Sequence, residues 1–295
     1  MIEDKRIKEN KPSFLLLHTD RVKLNKNWNF TNIVSPFYRI YLVHGGRGQL
    51  SNPEATIVME QGFLYMIPSF TLCNYSCQDF LEQHFIHFTE EIPAGRSLFF
   101  SNRKLFRVRA RDTDILLFKR VLDLHPGRDL RRSNDPYVYQ QSPALLDSKE
   151  LSYRLPLHVQ METEGILMQL LSRFLASPQY HISRIGGVPP RLYETVEYIQ
   201  SNLEQQLTVA SLAMRAHLHP DYFARVFREK LGEGPLEYIR HKRIERAQFL
   251  IITTEASFNE IAFDTGFESA SYFSRTFKKF TGMSPGEYRL THRKV

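Results

Sequence analysis

Hydrophobic and polar positions change their rhythm twice along the chain. From about residue 31 to 112, apolar residues alternate with polar ones or gather in short runs between turn signals. YRIYLVHGGRGQL alternates until Gly45-Gly46, a hairpin signal, and TIVMEQGFLYMIPSF breaks at Gln61-Gly62; LEQHFIHFTEEIPAG and KLFRVRARD continue in that manner. Many short strands at close spacing predict a small barrel or sandwich. After Asp112 the period lengthens. TDILLFKRVLDL sets Ile115, Phe118 (or Leu117), Val121 and Leu122 on one helical face, and 157–175 does the same with Leu167, Leu170, Leu171, Phe174 and Leu175. Between these helices, 125–154 is polar and turn-rich, so a mobile insertion or functional loop is expected there. SPQYHISRIGGVPP, residues 177–190, has the composition of a linker. From Arg191 onward no strand alternation remains, and seven short helices are expected at 191–202, 208–216, 220–231, 235–252, 258–265, 270–280 and 285–291.

The last hundred residues repeat themselves. Laid over each other, 222–238 and 272–288 share eight of seventeen positions, among them Tyr222/Tyr272, Phe223/Phe273, Arg225/Arg275, Phe227/Phe277 and Tyr238/Tyr288. Two copies are too few for a solenoid, so one helical device is present twice. In the second copy Ser257 and Glu260 have capping-box spacing, Gly266 stops the first helix, Ser269 caps the next, and Phe273 and Phe277 form an i, i+4 buried stripe. Ala270, Ser271, Ser274, Arg275 and Lys278 remain on the other side. This is a helix-turn-helix. In the first copy Thr208 caps, Pro220 opens the second helix, and Phe223 and Phe227 are buried; His217 stands in place of Gly266 and His219 in place of the Ser269 cap, so this copy is expected to be the less rigid.

Small outward residues suit a helix that enters the major groove of DNA. Arg225 and Arg275 can reach guanine or a phosphate, Ser271 and Ser274 can do either, Ala224 can touch a thymine methyl, and Asp221 can only accept. Arg228, Lys278 and Lys279 suit phosphate contacts or plain solvated charge. The helix over 235–252 is roughly 25 Å long, suited to holding two reading heads about one DNA turn, ~34 Å, apart.

Composition adjusts this picture modestly. The 295-residue chain suggests two domains, and 42% apolar with 24% charged residues is ordinary for a soluble globular protein. The apolar run Phe14–Leu17 is too short for a signal peptide, no stretch approaches a membrane span, and two cysteines give no disulfide framework, which together predict a cytoplasmic protein without a membrane partner. A formal charge of +7 suits a polyanionic partner. Six basic residues against one acid between Arg275 and Val295 sharpen that leaning.

The stretch from LTVASLAMRAHLHPDYFARVFREKLGEGP to IAFDTGFESASYFSRTFKKFTGMSPGEYR resembles the DNA-binding domain of the AraC/XylS family of bacterial transcription regulators, over roughly 200–289. The resemblance implies a seven-helix domain with two helix-turn-helix units. Its base contacts would come from Asp221, Ala224 and Arg225, then Ala270, Ser271, Ser274 and Arg275, with Arg228, Ser269 and Lys278 beside them. The N-terminal half is similar to the cupin-like sensor half of that family, which implies effector binding or dimerisation.

The expected fold is therefore multidomain α+β. A cupin-like sensor β-barrel (1–112) precedes a helical dimerisation region with a polar insertion (113–176), a linker (177–190) and an all-α double helix-turn-helix domain (191–295). Within the helical region 157–175 is the first candidate for a dimer seam and 114–124 the second. The expected function is a homodimeric, sequence-specific transcription regulator, an activator contacting RNA polymerase, which binds double-stranded DNA and senses a small effector such as a sugar or related polar metabolite. Arg39, Tyr41, Tyr65 and His84 are the effector-site candidates by position. No cofactor and no catalytic set is expected. Cys73, Cys77, His84 and His87 have tempting zinc spacing, but residues three apart on a regular strand face opposite ways, so no metal site is expected either. Two rival readings remain: a cupin-type metal enzyme fused to a DNA-binding domain, and an architectural DNA binder without an effector.

Overall fold

A computed structural model describes residues 13–91, 98–99, 102–130, 134–136, 151–181 and 190–293. The chain divides into two compact units, one running essentially to Ser183 and the other from Arg184 to His292. They are described separately.

The first unit is built on one antiparallel sheet: β1 (Ser13–Asn25), β2 (Phe30–Val34), β3 (Tyr38–Ser51), β4 (Thr56–Met59), β5 (Phe63–Ile67), β6 (Leu72–Glu91) and β7 (Phe106–Arg109). The strand order is β1-β6-β3-β5-β7, with β2 also on β6 and β4 also on β3. Long β6 is the spine, pairing β3 from Asn74 to Phe88, β1 from Phe80 to Glu91 and β2 near its start. The order has two ends, and among the described residues no ladder joins β7 to β1. The sheet is thus open among the described residues, where a cupin-like barrel was expected and the strand pattern allowed a small barrel or a sandwich. Four-residue β7 pairs β5 alone and offers little edge for closure.

Both faces of the sheet are covered. On one, Ile40, Leu42, Leu64, Met66, Ile86 and Phe88 pack under α1 (Asp112–Leu124) and α2 (Leu157–Leu175), which contribute Phe118, Val121, Leu167, Leu170, Leu171 and Phe174. On the other, the curled sheet encloses Tyr41, Tyr65, Cys73, Tyr75, Leu81 and Phe85 with Trp28 and Ile33. A short helix, α3 (Pro178–His181), follows α2.

Three local expectations change. Gly45-Gly46 does not turn a hairpin but lies inside β3, which shifts register between Val43 and Gly45 and again between Gly46 and Gly48. Gly46 has φ +74, and a Cβ there would come 2.1 Å from the Phe80 carbonyl oxygen, so the glycine permits a bulge pressed against β6. The turn comes later, where Asn52 accepts from the amides of Glu54 and Ala55. Phe14–Leu17, read only as a short apolar run, begins β1. Ile115, placed on the inner face by its spacing, is 45% exposed, because α1 turns Asp114, Phe118 and Val121 inward instead. Asp114 is buried because it caps α1 from the Arg111 amide and pairs Arg173 of α2 at 3.2 Å.

The described ends of the 125–154 stretch are anchored rather than free. Arg128 donates to the Leu16 carbonyl at the β1 bulge and to Ser152 Oγ (2.9 Å), and its own carbonyl accepts from Thr19. Residues 131–133 and 137–150, and residues 182–189 of the expected linker, lie outside the described residues.

The second unit is helical: α4 (Pro190–Ser201), α5 (Val209–Arg215), α6 (Pro220–Leu231), α7 (Pro235–Thr253), α8 (Phe258–Asp264), α9 (Ala270–Thr281) and α10 (Pro285–Arg293). Their boundaries follow from local chemistry. Thr208 accepts from the Ser211 amide; Ser257 and Glu260 exchange a full capping box; Ser269 accepts from Tyr272; Pro220 and Pro235 occupy first-turn positions.

Candidate nucleic-acid interface

The repeat extends to three dimensions. Residues 221–230 and 271–280 have the same sequence of exposed, intermediate and buried positions, residue for residue. In each, two phenylalanines meet on the inner side at steep ring angles, Phe223 with Phe227 and Phe273 with Phe277, both at 5.5 Å between ring centroids. Each second ring meets a tyrosine of the next helix edge-on, Tyr238 at 5.4 Å and Tyr288 at 5.2 Å. Each tyrosine hydroxyl accepts from a glutamine one helix pair earlier, Gln200 or Gln248. The duplicated block is therefore larger than the helix-turn-helix read from the sequence, and it includes the helix preceding each unit.

With the aromatic stripe turned inward, the opposite faces of α6 and α9 are open. Asp221, Arg225 and Arg228 are exposed on α6 and Ala224 is intermediate; Ser269, Ser271, Arg275 and Lys278 are exposed at α9, with Ala270 and Ser274 intermediate. Arg225 and Arg275 form no ion pair among the described residues; Arg225 lies over the Tyr222 ring at 5.2 Å. Asp221 has His219 within 3.6 Å, an exposed pair worth little by itself.

The two turns differ. His217 takes φ +54 where Gly266 takes φ +79. Only the second position is crowded: a Cβ on Gly266 would sit 2.1 Å from the Leu203 carbonyl oxygen and 2.7 Å from Arg243. Arg243, on α7, donates to the carbonyls of Leu203 (2.9 Å) and Gln205 (2.7 Å) and lies over the Phe267 ring. It thereby ties the connection between α4 and α5 to the turn between α8 and α9, and burial lowers its pKa from the ordinary arginine value. The sequence offered one unused signal for it, a guanidinium beside the buried positions Ile244 and Ala247 of α7.

The four effector candidates do not share one site. Arg39 is fully buried, donates to the Tyr75 hydroxyl and to the Thr71 carbonyl (3.3 Å), and Tyr41 lies 3.3 Å from Tyr75 hydroxyl to hydroxyl. Tyr65 shares that apolar cluster, but its hydroxyl is bound to the β4–β5 backbone, accepting from Glu60 N and donating to Val58 O. His84 is on the other face, its ring stacked 6.2 Å from Phe118 of α1. His87 lies with Phe85 and Tyr41, so the two histidines do face opposite ways. Among the described residues no three His, Cys, Asp or Glu side chains gather as a metal set, and burial pushes the Cys73 thiol up to about 11.

A model of the helix-turn-helix domain matches residues 212–291. An uncharacterized HTH-type transcriptional regulator of Bacillus subtilis (strain 168), YisR, is 30% identical over 161 residues, 54% of this chain and 53% of the relative. The arabinose operon regulatory protein of Escherichia coli (strain K12) is 36% identical over 100 residues, 34% of each chain. The matches thus span about half or less of these curated relatives. Among solved structures, the DNA-binding domain of AdpA, a global transcriptional factor in complex with a target DNA, is 33% identical, covering 36% of this chain and 95% of that one at a TM-score of 0.35.

Proposed function

With residues 212–291 placing the chain in the AraC/XylS family of transcription regulators, we propose that it binds a specific duplex sequence through α6 and α9, each laid in the major groove. One observation carries this: two faces with the same pattern of exposure, each offering an arginine without an ion pair and mostly small neighbours. Arg275, Ser271 and Ser274 supply donors at the second face, with Ala270 small enough for close approach and Ser269 and Lys278 near the backbone. The first face has Arg225 and Arg228 as donors, while Asp221 and Ala224 give it less to read with, so the second unit contributes more discrimination.

Selection of bound sites from random duplexes tests the proposal, the expected product being two half-sites about 10–10.5 base pairs apart on one face of the helix. Equal affinity for selected and scrambled duplexes would overturn it in favour of an architectural binder. Arg275→Ala is expected to cost about 1–3 kcal/mol, roughly 5- to 150-fold in affinity, with the loss confined to one base position. A uniform loss on every sequence would reassign Arg275 to phosphate.

The reading includes a homodimer joined through the helices of the N-terminal unit. Leu116, Leu157 and Met161 are 65%, 69% and 65% exposed on α1 and α2, around an Arg120–Glu162 ion pair at 2.6 Å. Apolar side chains clustered this openly mark an interaction surface. Leu116→Glu combined with Met161→Glu is expected to convert the dimer to a monomer in sedimentation velocity; an unchanged mass rules out this seam.

A further inference from the structure

We infer that His241 is a positioning residue for DNA recognition: from α7 it holds the end of the first reading helix against the end of the second, and so sets which half-site spacing the chain prefers. The role rests on the reading of α6 and α9 as the DNA-binding helices and adds what keeps them in one geometry. His241 Nδ1 donates to Glu233 Oε2 at 2.7 Å, and its ring meets Phe280 edge-on at 4.5 Å between centroids. Glu233 lies just beyond Leu231, where α6 ends, and Phe280 is the residue before Thr281, where α9 ends. One side chain therefore reaches the C-terminal ends of both reading helices.

The duplication shows that this bridge belongs to neither unit alone. Phe223, Phe227 and Tyr238 pack as Phe273, Phe277 and Tyr288 do, so each unit already has its own core. At the same offset of fifty residues, Glu233 corresponds to Met283, His241 to Thr291 and Phe280 to Lys230. All three members of the bridge are departures from the repeat, and together they join the copies. The joints that follow the reading helices also differ. After α9, Ser284 and Glu287 exchange a capping box, and Thr281 Oγ1 donates to the Met283 carbonyl. After α6 the counterpart of Ser284 is Gly234, which has no side chain to cap α7, and Glu237, the counterpart of Glu287, pairs with Arg240 instead. The bond from His241 to Glu233 secures this joint from further along α7.

The consequence is geometric rather than thermodynamic. The His241 side chain is 47% exposed, and an open contact of this kind contributes little to stability. Arg243 already holds the turn before α9 through the Phe267 ring, and His241 adds a second point of contact at the far end of that helix. Two points fix an axis where one leaves a pivot. With twelve residues α9 is roughly 18 Å long, so a tilt of about 10° about its start displaces its end by about 3 Å. That is close to the ~3.4 Å rise of one base pair, the step by which neighbouring spacings differ. Losing the bridge therefore blurs the preference among spacings while leaving each reading face as it was.

Two readouts test this. Glu229 and Lys278 are exposed on α6 and α9, and Cys73 and Cys77 are buried, so Glu229→Cys/Lys278→Cys takes two spin labels. Double electron–electron resonance without DNA, on labelled chain diluted with unlabelled chain, is expected to give one narrow distance, broadened about twofold by His241→Ala. Chains without the labels are then titrated with the selected duplex and with duplexes one base pair longer or shorter between the half-sites. The parent is expected to favour its own spacing about tenfold and His241→Ala by less than about threefold, at an unchanged melting temperature. His241→Phe, which keeps the ring contact but not the bond, is expected to fall between the two in both readouts. An unchanged distance distribution overturns the proposal, as does an unchanged spacing preference or an equal loss of affinity at every spacing. Should random duplexes yield no preferred site, the DNA-binding reading fails by itself, and the distance measurement still decides whether His241 braces the two helices.

Discussion

Taking the 295-residue chain from pH 7 to pH 5 is expected to lower the stability of its N-terminal unit by roughly 6 kcal/mol or more, about 2 kcal/mol for each of His18, His84 and His125, with His87, whose pKa burial also holds well below the ordinary value, adding to the loss. His18, His84 and His125 are 4%, 8% and 5% exposed. Burial holds each pKa down to about 4, helped by Arg128 near His18 and His125 and by His44 and Arg21 near His84; Glu82 opposes weakly at His84. Their other neighbours accommodate neutral rings: His18 packs on His87, His84 on Phe118, and His125 bonds Thr163 Oγ1 at 2.7 Å. The sign follows from the direction of the shifts. The unfolded chain binds these protons near pH 6.5 and the folded unit only near pH 4, so the stability present above 6.5 is lost as pH falls through that window. The loss is comparable to the whole stability of a typical domain. Calorimetric scans at pH 7, 6 and 5 resolve the two transitions, and His84→Gln should remove roughly a quarter of the slope. A flat first transition would mean that these rings keep access to water.

Phe277→Ala should destabilise the helical unit by about 3–5 kcal/mol, the cost of a cavity where a large ring is fully enclosed. Phe277 is 0% exposed and touches Phe273 and Tyr288 edge-on, so its removal opens the joint between α9 and α10. With total stabilities of order 5–15 kcal/mol, that leaves a unit melting far below the parent. Denaturant titration followed through the helical signal measures it, and duplex binding should fall in parallel while the N-terminal transition stays in place. A variant as stable as the parent would show that the aromatic stripe is not the core of the reading head.

How legible each half was depended on the range of the interactions that define it. Ser257 with Glu260, Ser269 with Tyr272, and Phe273 with Phe277 act within one helical turn, so the sequence located them to within a residue or two. The pairing of Ser13 with Glu91 spans most of a domain, and no local pattern announces it. The glycine pair at 45–46 carried a true signal of unusual backbone but not its meaning, because a turn and a bulge use the same residue and differ only in what lies opposite. Arg39, Tyr41, Tyr65 and His84 were named together by position alone, whereas the single-step rhythm of β6 puts His84 with Ile86 and Phe88, against Phe118.

By itself the sequence determined the duplicated helical device, its caps, its inward phenylalanines and its outward arginines, because each is set by neighbours three or four residues away. Only the tertiary structure decided that the sheet stays open, that α2 is fixed to β7 through Arg173 and the Arg109 carbonyl, and that Arg243 ties the connection between α4 and α5 to the turn between α8 and α9. Those outcomes depend on segments 40 to 80 residues apart being pressed together by burial, which leaves no periodic trace in the chain.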